Sequence, residues 1–142
     1  MTPLFIDTSA FVALADKSDR NHRSAKTFLK LLARQRRPLL TSTYIADETI
    51  TLARMRLGHP AALELGEAIL GSEWCRLLDI DEDLRTSAWQ VFARFDDQLF
   101  SFTDCTSFAL MKQLELKEAF TFDRRDFATA GFVPLPAERR GR

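Results

Sequence analysis

Leu4-Phe5-Ile6 is a short apolar run that stops at Asp7-Thr8-Ser9, after which Ala10-Phe11-Val12-Ala13-Leu14 resumes the apolar character. That order predicts a buried strand, a loop and a helix. Beyond the polar break at residues 16–21, Ala25, Phe28, Leu29, Leu32 and Ala33 recur at helical spacing as far as Arg37-Pro38, and Pro38 is expected to close the helix. Leu39-Leu40-Thr41 can supply a second strand. Ser42 or Thr43 can cap a helix running from Tyr44 to Leu57, stopped by Gly58 and Pro60.

A helical pattern from Ala61 to Leu70 ends at Gly71, and residues 74–80 read as a third strand carrying Leu77, Leu78 and Ile80. Asp81 or Asp83 can cap the next helix, with Leu84, Ala88, Val91, Phe92 and Phe95 as its inward stripe. Thr103 to Leu116 reads as helix and Ala119-Phe120-Thr121-Phe122 as strand. A short turn or helix to Ala130 follows, then an edge strand over 132–135, where Pro134 is tolerated. Strands alternating with helices, without hairpin signals, predict the α/β class: one three-layer α/β/α domain around a central, mainly parallel sheet. Residues 1–135 would form that domain and 136–142 a basic tail.

Length and composition agree with a single domain, since 142 residues at 46% apolar content can bury one sizeable core. The 20 basic and 20 acidic side chains cancel, which argues against a uniformly basic nucleic-acid wrapper or a highly charged disordered chain. The balance hides a split. Residues 1–60 carry 10 Lys/Arg against 5 Asp/Glu, whereas 61–142 carry 10 against 15. Lys26, Lys30, Arg34, Arg36 and Arg37 make up much of the first excess, as a solvated face or as a contact for a phosphate backbone. No apolar run approaches the roughly 20 residues of a membrane span. The N-terminus has no pattern of a secretory leader, so a cytoplasmic setting is expected. Cys75 and Cys105 lack disulfide-framework or metal spacing and read as reduced packing residues, and His22 and His59 as surface groups.

Four acids call for a chemical reading. Asp7 follows the first strand and Asp123 the strand ending at Phe122, and the carboxyl ends of parallel strands are where ligands bind. Each can equally be a turn or N-cap aspartate. Glu48 falls on the inward stripe marked by Ile45, Leu52 and Ala53, and Asp104 opens a helix whose covered face continues at Phe108 and Met111. Asp104 can also serve as a cap, favoured by the helix dipole, and Glu48 can stand exposed beside a cation. Inward carboxylates must be neutralised, paired or bound to metal. Oxygen-only ligands without a His/Cys cluster favour a hard ion, Mg²⁺ or Mn²⁺, and an acidic pocket holding such ions suits phosphodiester hydrolysis.

Together, Phe5-Ile6-Asp7-Thr8-Ser9-Ala10-Phe11, Ala46-Asp47-Glu48-Thr49, Phe102-Thr103-Asp104-Cys105-Thr106-Ser107-Phe108 and Phe120-Thr121-Phe122-Asp123-Arg124-Arg125-Asp126-Phe127 resemble the PIN-domain nucleases, most of all the VapC toxins of toxin–antitoxin pairs. The resemblance spans residues 3–135. It implies a metal-dependent endoribonuclease in which Asp7 and Asp104 bind Mg²⁺ directly, Glu48 and Asp123 complete the pocket, and Thr8, Ser9 and Thr103 supply nearby hydroxyls. It also implies a homodimer, an RNA substrate and a VapB-type antitoxin whose C-terminal segment covers the acidic groove. Asp47 beside Glu48, and Asp126 one helical turn after Asp123, leave two positions ambiguous. A housekeeping RNA-processing nuclease and a non-cutting PIN-like binding module are the alternatives. Aspartate phosphatases also start with a strand and an aspartate, but they carry a second Asp where this chain has Ser9.

Overall fold

Five short strands and seven helices alternate along the described residues, 1–138, of the computed structural model. The chain runs β1 (Leu4–Ile6), α1 (Thr8–Ala15), α2 (His22–Arg34), β2 (Leu39–Ser42), α3 (Thr43–Leu57), α4 (His59–Leu70), β3 (Arg76–Leu78), α5 (Glu82–Arg94), α6 (Phe102–Gln113), β4 (Glu118–Phe120), α7 (Arg124–Thr129) and β5 (Val133–Leu135). The strands lie in the order β3-β2-β1-β4-β5, and every pairing is parallel. This is the predicted α/β/α architecture. Residues 139–142, the arginine-bearing part of the expected tail, fall outside the described residues.

The order explains where a site can form. From β1 the chain steps outward through β2 to β3, then returns to the other side of β1 for β4 and β5. With right-handed crossovers, α1–α4 cover one face and α5–α7 the other. Phe28 of α2 packs edge-on to Phe120 of β4 with ring centroids 4.9 Å apart, while Phe108 of α6 packs against Phe127 of α7 at 5.1 Å. Between β1 and β4 the connections diverge to opposite faces, which opens a crevice at the carboxyl ends of these two strands. β1 itself is wholly buried, because in the middle of a sheet covered on both sides Leu4, Phe5 and Ile6 all meet apolar neighbours.

Several boundaries differ from the sequence expectation. The α2 helix ends at Arg34, well before Pro38: Arg36 takes a left-handed φ of 52°, so the turn and not the proline closes it. Ala33 is exposed, since α2 buries only a narrow stripe at Ala25 and Leu32. β3 is shorter than residues 74–80, because as an edge strand it is paired only along β2, through Arg76, Leu77 and Leu78. Phe92 is 41% exposed and stacks on Trp89, because Leu84, Ala88, Val91 and Phe95 already fill the covered side of α5. The α6 helix stops at Gln113, and Glu115 turns the chain with a φ of 57° so that Leu116 is buried beyond it. β4 ends at Phe120, so Asp123 lies three residues past the strand instead of directly after it. Cys75 and Cys105 are buried and free, as expected.

Candidate active site

Asp7 occupies the N-cap position of α1 without capping it. Its Oδ2 accepts hydrogen bonds from Ser9 Oγ at 3.0 Å and from Thr121 Oγ1 at 2.8 Å. The backbone N–H of Asp7 donates to the Phe120 carbonyl at 3.0 Å, which extends the β1–β4 pairing up to the acid. Ser9 Oγ also accepts from the Phe122 N–H at 2.9 Å, and Thr121 Oγ1 from the Asp123 N–H at 3.0 Å. Two hydroxyls thus stitch the exits of both strands and fix one carboxylate oxygen. Asp7 Oδ1 takes no hydrogen bond within the described residues and is the atom left for the crevice.

Asp104 is held by a reciprocal cap at the start of α6. Ser101 Oγ accepts from the Asp104 N–H, and Asp104 Oδ2 accepts from the Ser101 N–H, each at 3.0 Å. The cap and the inward carboxylate are therefore one arrangement, not alternatives. Glu48 is half-buried on α3, whereas Asp47 is exposed. Thr49 Oγ1 donates to Thr8 Oγ1 at 3.2 Å and ties α3 to α1 beside Glu48. Asp123 sits at the N-cap position of α7 without a side-chain cap bond.

Asp7, Glu48, Asp104 and Asp123 line one cleft of about 210 Å³, together with Thr8 and Ser9. All four predicted acids are thus brought together. Carboxylate oxygens of Asp104, Asp123 and Asp126 lie within 4.8 Å of one another, which puts Asp126 beside Asp123. Asp7 and Glu48 stand outside that tight trio. The Thr103 hydroxyl is not part of the cleft: its residue serves through its carbonyl, which accepts from Thr106 and Ser107. Neither histidine lines the cleft; His59 is exposed, and half-buried His22 is tied through Nδ1 to the Ala13 carbonyl at 2.7 Å. A larger cleft of about 370 Å³ between α5 and α6 has no carboxylate in its lining.

The electrostatics follow from the crowding. Burial pushes the Asp7 carboxyl up to about 6; the Thr121 and Ser9 hydroxyls pull it down, and Asp104 and Glu48 push it further up. Burial also raises Asp123 to about 7, helped by Asp126, Asp104 and Asp7, and burial raises Asp104 against the opposing Ser101 bonds. Repulsion of this kind, in an oxygen-only donor set, is what a hard divalent cation relieves, so the residues fit such an ion.

The PIN domain family matches residues 4–133. The chain belongs to the PIN-domain family. Within it, the chain is 38% identical over 135 residues to the 23S rRNA-specific endonuclease VapC20 of Mycobacterium tuberculosis, covering 95% of this chain and 99% of that protein. The crystal structure of Mycobacterium tuberculosis VapC20, described as a Sarcin-Ricin loop cleaving toxin, superposes with a TM-score of 0.82 at 37% identity, over 92% of this chain and 96% of that one. DNA-bound VapBC from Salmonella typhimurium shares the fold alone, with a TM-score of 0.69 at 18% identity over 94% of this chain and 97% of that one.

Sequence reasoning missed one residue behind this PIN-domain cleft and three polar residues that line it. Thr121 is fully buried and orients Asp7; a threonine following an apolar strand and two residues before an acid was its only signal. Asp19 and Asn21 reach the cleft from the polar break before α2, a loop whose path no periodicity encodes. Arg56 reaches it from α3, eight residues after Glu48 on the same helical face.

Proposed function

We propose that this chain is a divalent-metal-dependent endoribonuclease, with Mg²⁺ or Mn²⁺ as its ion, and the toxin of a type II toxin–antitoxin pair. The observation that carries the reading is the convergence of Asp7, Glu48, Asp104 and Asp123, drawn from four separate segments, on one cleft at the switch point of the sheet. Kinship with a 23S rRNA-specific endonuclease over almost the whole chain supports ribosomal RNA as the substrate. Work on that RNA belongs in the cytoplasm, and no helix among the described residues is long and apolar enough to cross a membrane. Residues 1–135 act as the nuclease domain and 136–142 as an appended basic tail.

In this reading Asp7 and Asp104 are the direct ligands, each with one oxygen tied to the protein and the other free for the cleft. Glu48 and Asp123 complete the pocket, with Asp126 assisting Asp123. A divalent cation bound there supplies an activated water and offsets charge on the phosphate. Ser9 and Thr121 keep the Asp7 carboxylate from rotating, and the Ser101 cap does the same for Asp104, so neither needs to reorganise when substrate arrives. Kinship with VapC20, together with the shared fold of a VapC solved in complex as DNA-bound VapBC, supports a VapB-type antitoxin as partner. The implied homodimer has an apolar face available on and after α5, where Trp89 is 61% and Leu99 is 99% exposed.

Incubation with total RNA and Mn²⁺ or Mg²⁺, followed by mapping of the cut ends, tests the reading. Discrete cuts carrying 5′-phosphates, lost with EDTA and with Asp104→Asn, are expected. An intact RNA pool under both metals would overturn it, and harmless overexpression of an active enzyme would remove the toxin role.

A further inference from the structure

Arg56 stands on the face of α3 that also carries Glu48 and Leu52, and all three line the acidic cleft. Five carboxylates share that cleft with it: Asp7, Asp19, Glu48, Asp104 and Asp123. Arg56 nevertheless pairs with none of them. Among the described residues the ion pair within 4.0 Å joins Arg37 to Glu118, on a different part of the surface. Arg56 also makes no side-chain hydrogen bond among the described residues, and it is exposed. Asp19, also in the lining, accepts from the Asn21 N–H through Oδ1 at 2.7 Å.

A guanidinium standing free in an acid-lined cleft is suited to an anion that comes from outside. We propose that Arg56 is a substrate-positioning residue, gripping a phosphate of the RNA that flanks the one being cut. The proposal rests on the endoribonuclease reading. Eight residues of helix separate the Arg56 backbone from that of Glu48 by about 12 Å along the axis, which sets Arg56 toward the edge of the cleft, the side on which a phosphate flanking the cut would lie. A polyanion entering a pocket of acids gains nothing from the carboxylates themselves, and Arg56 is the cation lining the cleft among the described residues. The planar fork of donors matches two phosphate oxygens at once, which fixes both the distance and the angle of the strand over the cleft. Held in this way, the backbone can slide neither along the groove nor out of the reach of Asp7 and Asp104.

The competing role is local charge balance. The Asp16 carboxyl is held below its ordinary value mainly by its hydrogen bonds from Ser18, with the Arg56 charge a smaller contributor. If Arg56 did only that, a point charge would suffice and Arg56→Lys would restore KM in full.

The test compares wild type, Arg56→Gln and Arg56→Lys on a short RNA hairpin that the wild type cuts. KM and kcat are measured, and binding is followed from about 50 to about 200 mM salt in an Asp7→Asn background that does not cut. Arg56→Gln is expected to raise KM about tenfold with kcat within about twofold, and to flatten the log K against log salt slope by about 0.7–0.9. Arg56→Lys restores the slope, because the charge returns, but only part of KM, because the two-pronged contact does not. Arg56→Gln with wild-type KM and slope, in a wild type that cuts, would overturn the proposal and leave the nuclease reading standing. A kcat loss with unchanged KM would also overturn it. A wild type that cuts no RNA would remove both together.

Discussion

Replacing Asp7 by Asn should stabilise the metal-free protein while abolishing its chemistry. Asp7 is 4% exposed, and its carboxyl is pushed from 3.8 up to about 6. The folded state therefore binds its proton more tightly than the unfolded chain does. Below about pH 4 both states are protonated and the group contributes nothing. As the pH rises through about 6, the unfolded chain ionises freely and the folded one only at a cost, so stability is lost, by about 3 kcal/mol at about pH 8. Asn keeps an acceptor for the Ser9 and Thr121 hydroxyls and carries no charge, so Asp7→Asn should recover most of that loss. Thermal melts in EDTA should then show a gain of roughly 10 °C at about pH 8 and almost none at about pH 4. Added Mn²⁺ should raise the wild-type midpoint and leave the variant nearly unmoved. A variant destabilised equally at both pH values would refute the reasoning, since the effect would then lie in packing and not in a buried charge.

In metal-free protein the Asp7 and Asp123 carboxyls are raised to about 6 and about 7, so protons compete with the ion: at subsaturating Mn²⁺ RNA cleavage should fall as the pH drops through that range and excess Mn²⁺ should move the fall to lower pH, and a pH profile that does not respond to Mn²⁺ concentration would count against their roles. Thr121→Val removes one of the two hydroxyls that hold Asp7 ionised, so Mn²⁺ affinity, measured by calorimetry, should weaken roughly tenfold at about pH 6 and less at about pH 8. Phe108→Ala, which empties the space against Phe100, Phe127 and Phe132, should cost about 3–5 kcal/mol in denaturant unfolding. Trp89→Glu should convert a homodimer to monomer by light scattering, and a dimer that survives it uses another face.

The sheet was legible because its strands are short, wholly apolar and punctuated by polar residues. Leu4-Phe5-Ile6 ending at Asp7 marks both the central strand and the first acid. Glu48 and Asp104 were legible because a charge on a buried helical stripe needs a reason. The rest depends on three-dimensional closure. Thr121 matters only because β4 lies beside β1, a pairing between residues more than a hundred positions apart. Arg56 belongs to the cleft because α3 leans over α1, and nothing in its local pattern distinguishes it from the exposed Arg54. Phe92 read as core since helical periodicity defines a stripe but not its width; the neighbours set how much of the edge is covered. Asp126 stands close to Asp104 and Asp123 only because α6 and α7 meet at the crevice, and a one-turn spacing in sequence does not encode that meeting.

Titration of Mn²⁺ into the metal-free wild type, Asp7→Asn and Asp104→Asn by calorimetry tests most directly whether carboxylates from distant segments form one ion site. Saturable wild-type binding, weakened at least about tenfold by either single change, is the expected result. A wild type that takes up no ion, or variants that bind it as well as the wild type does, would contradict the account.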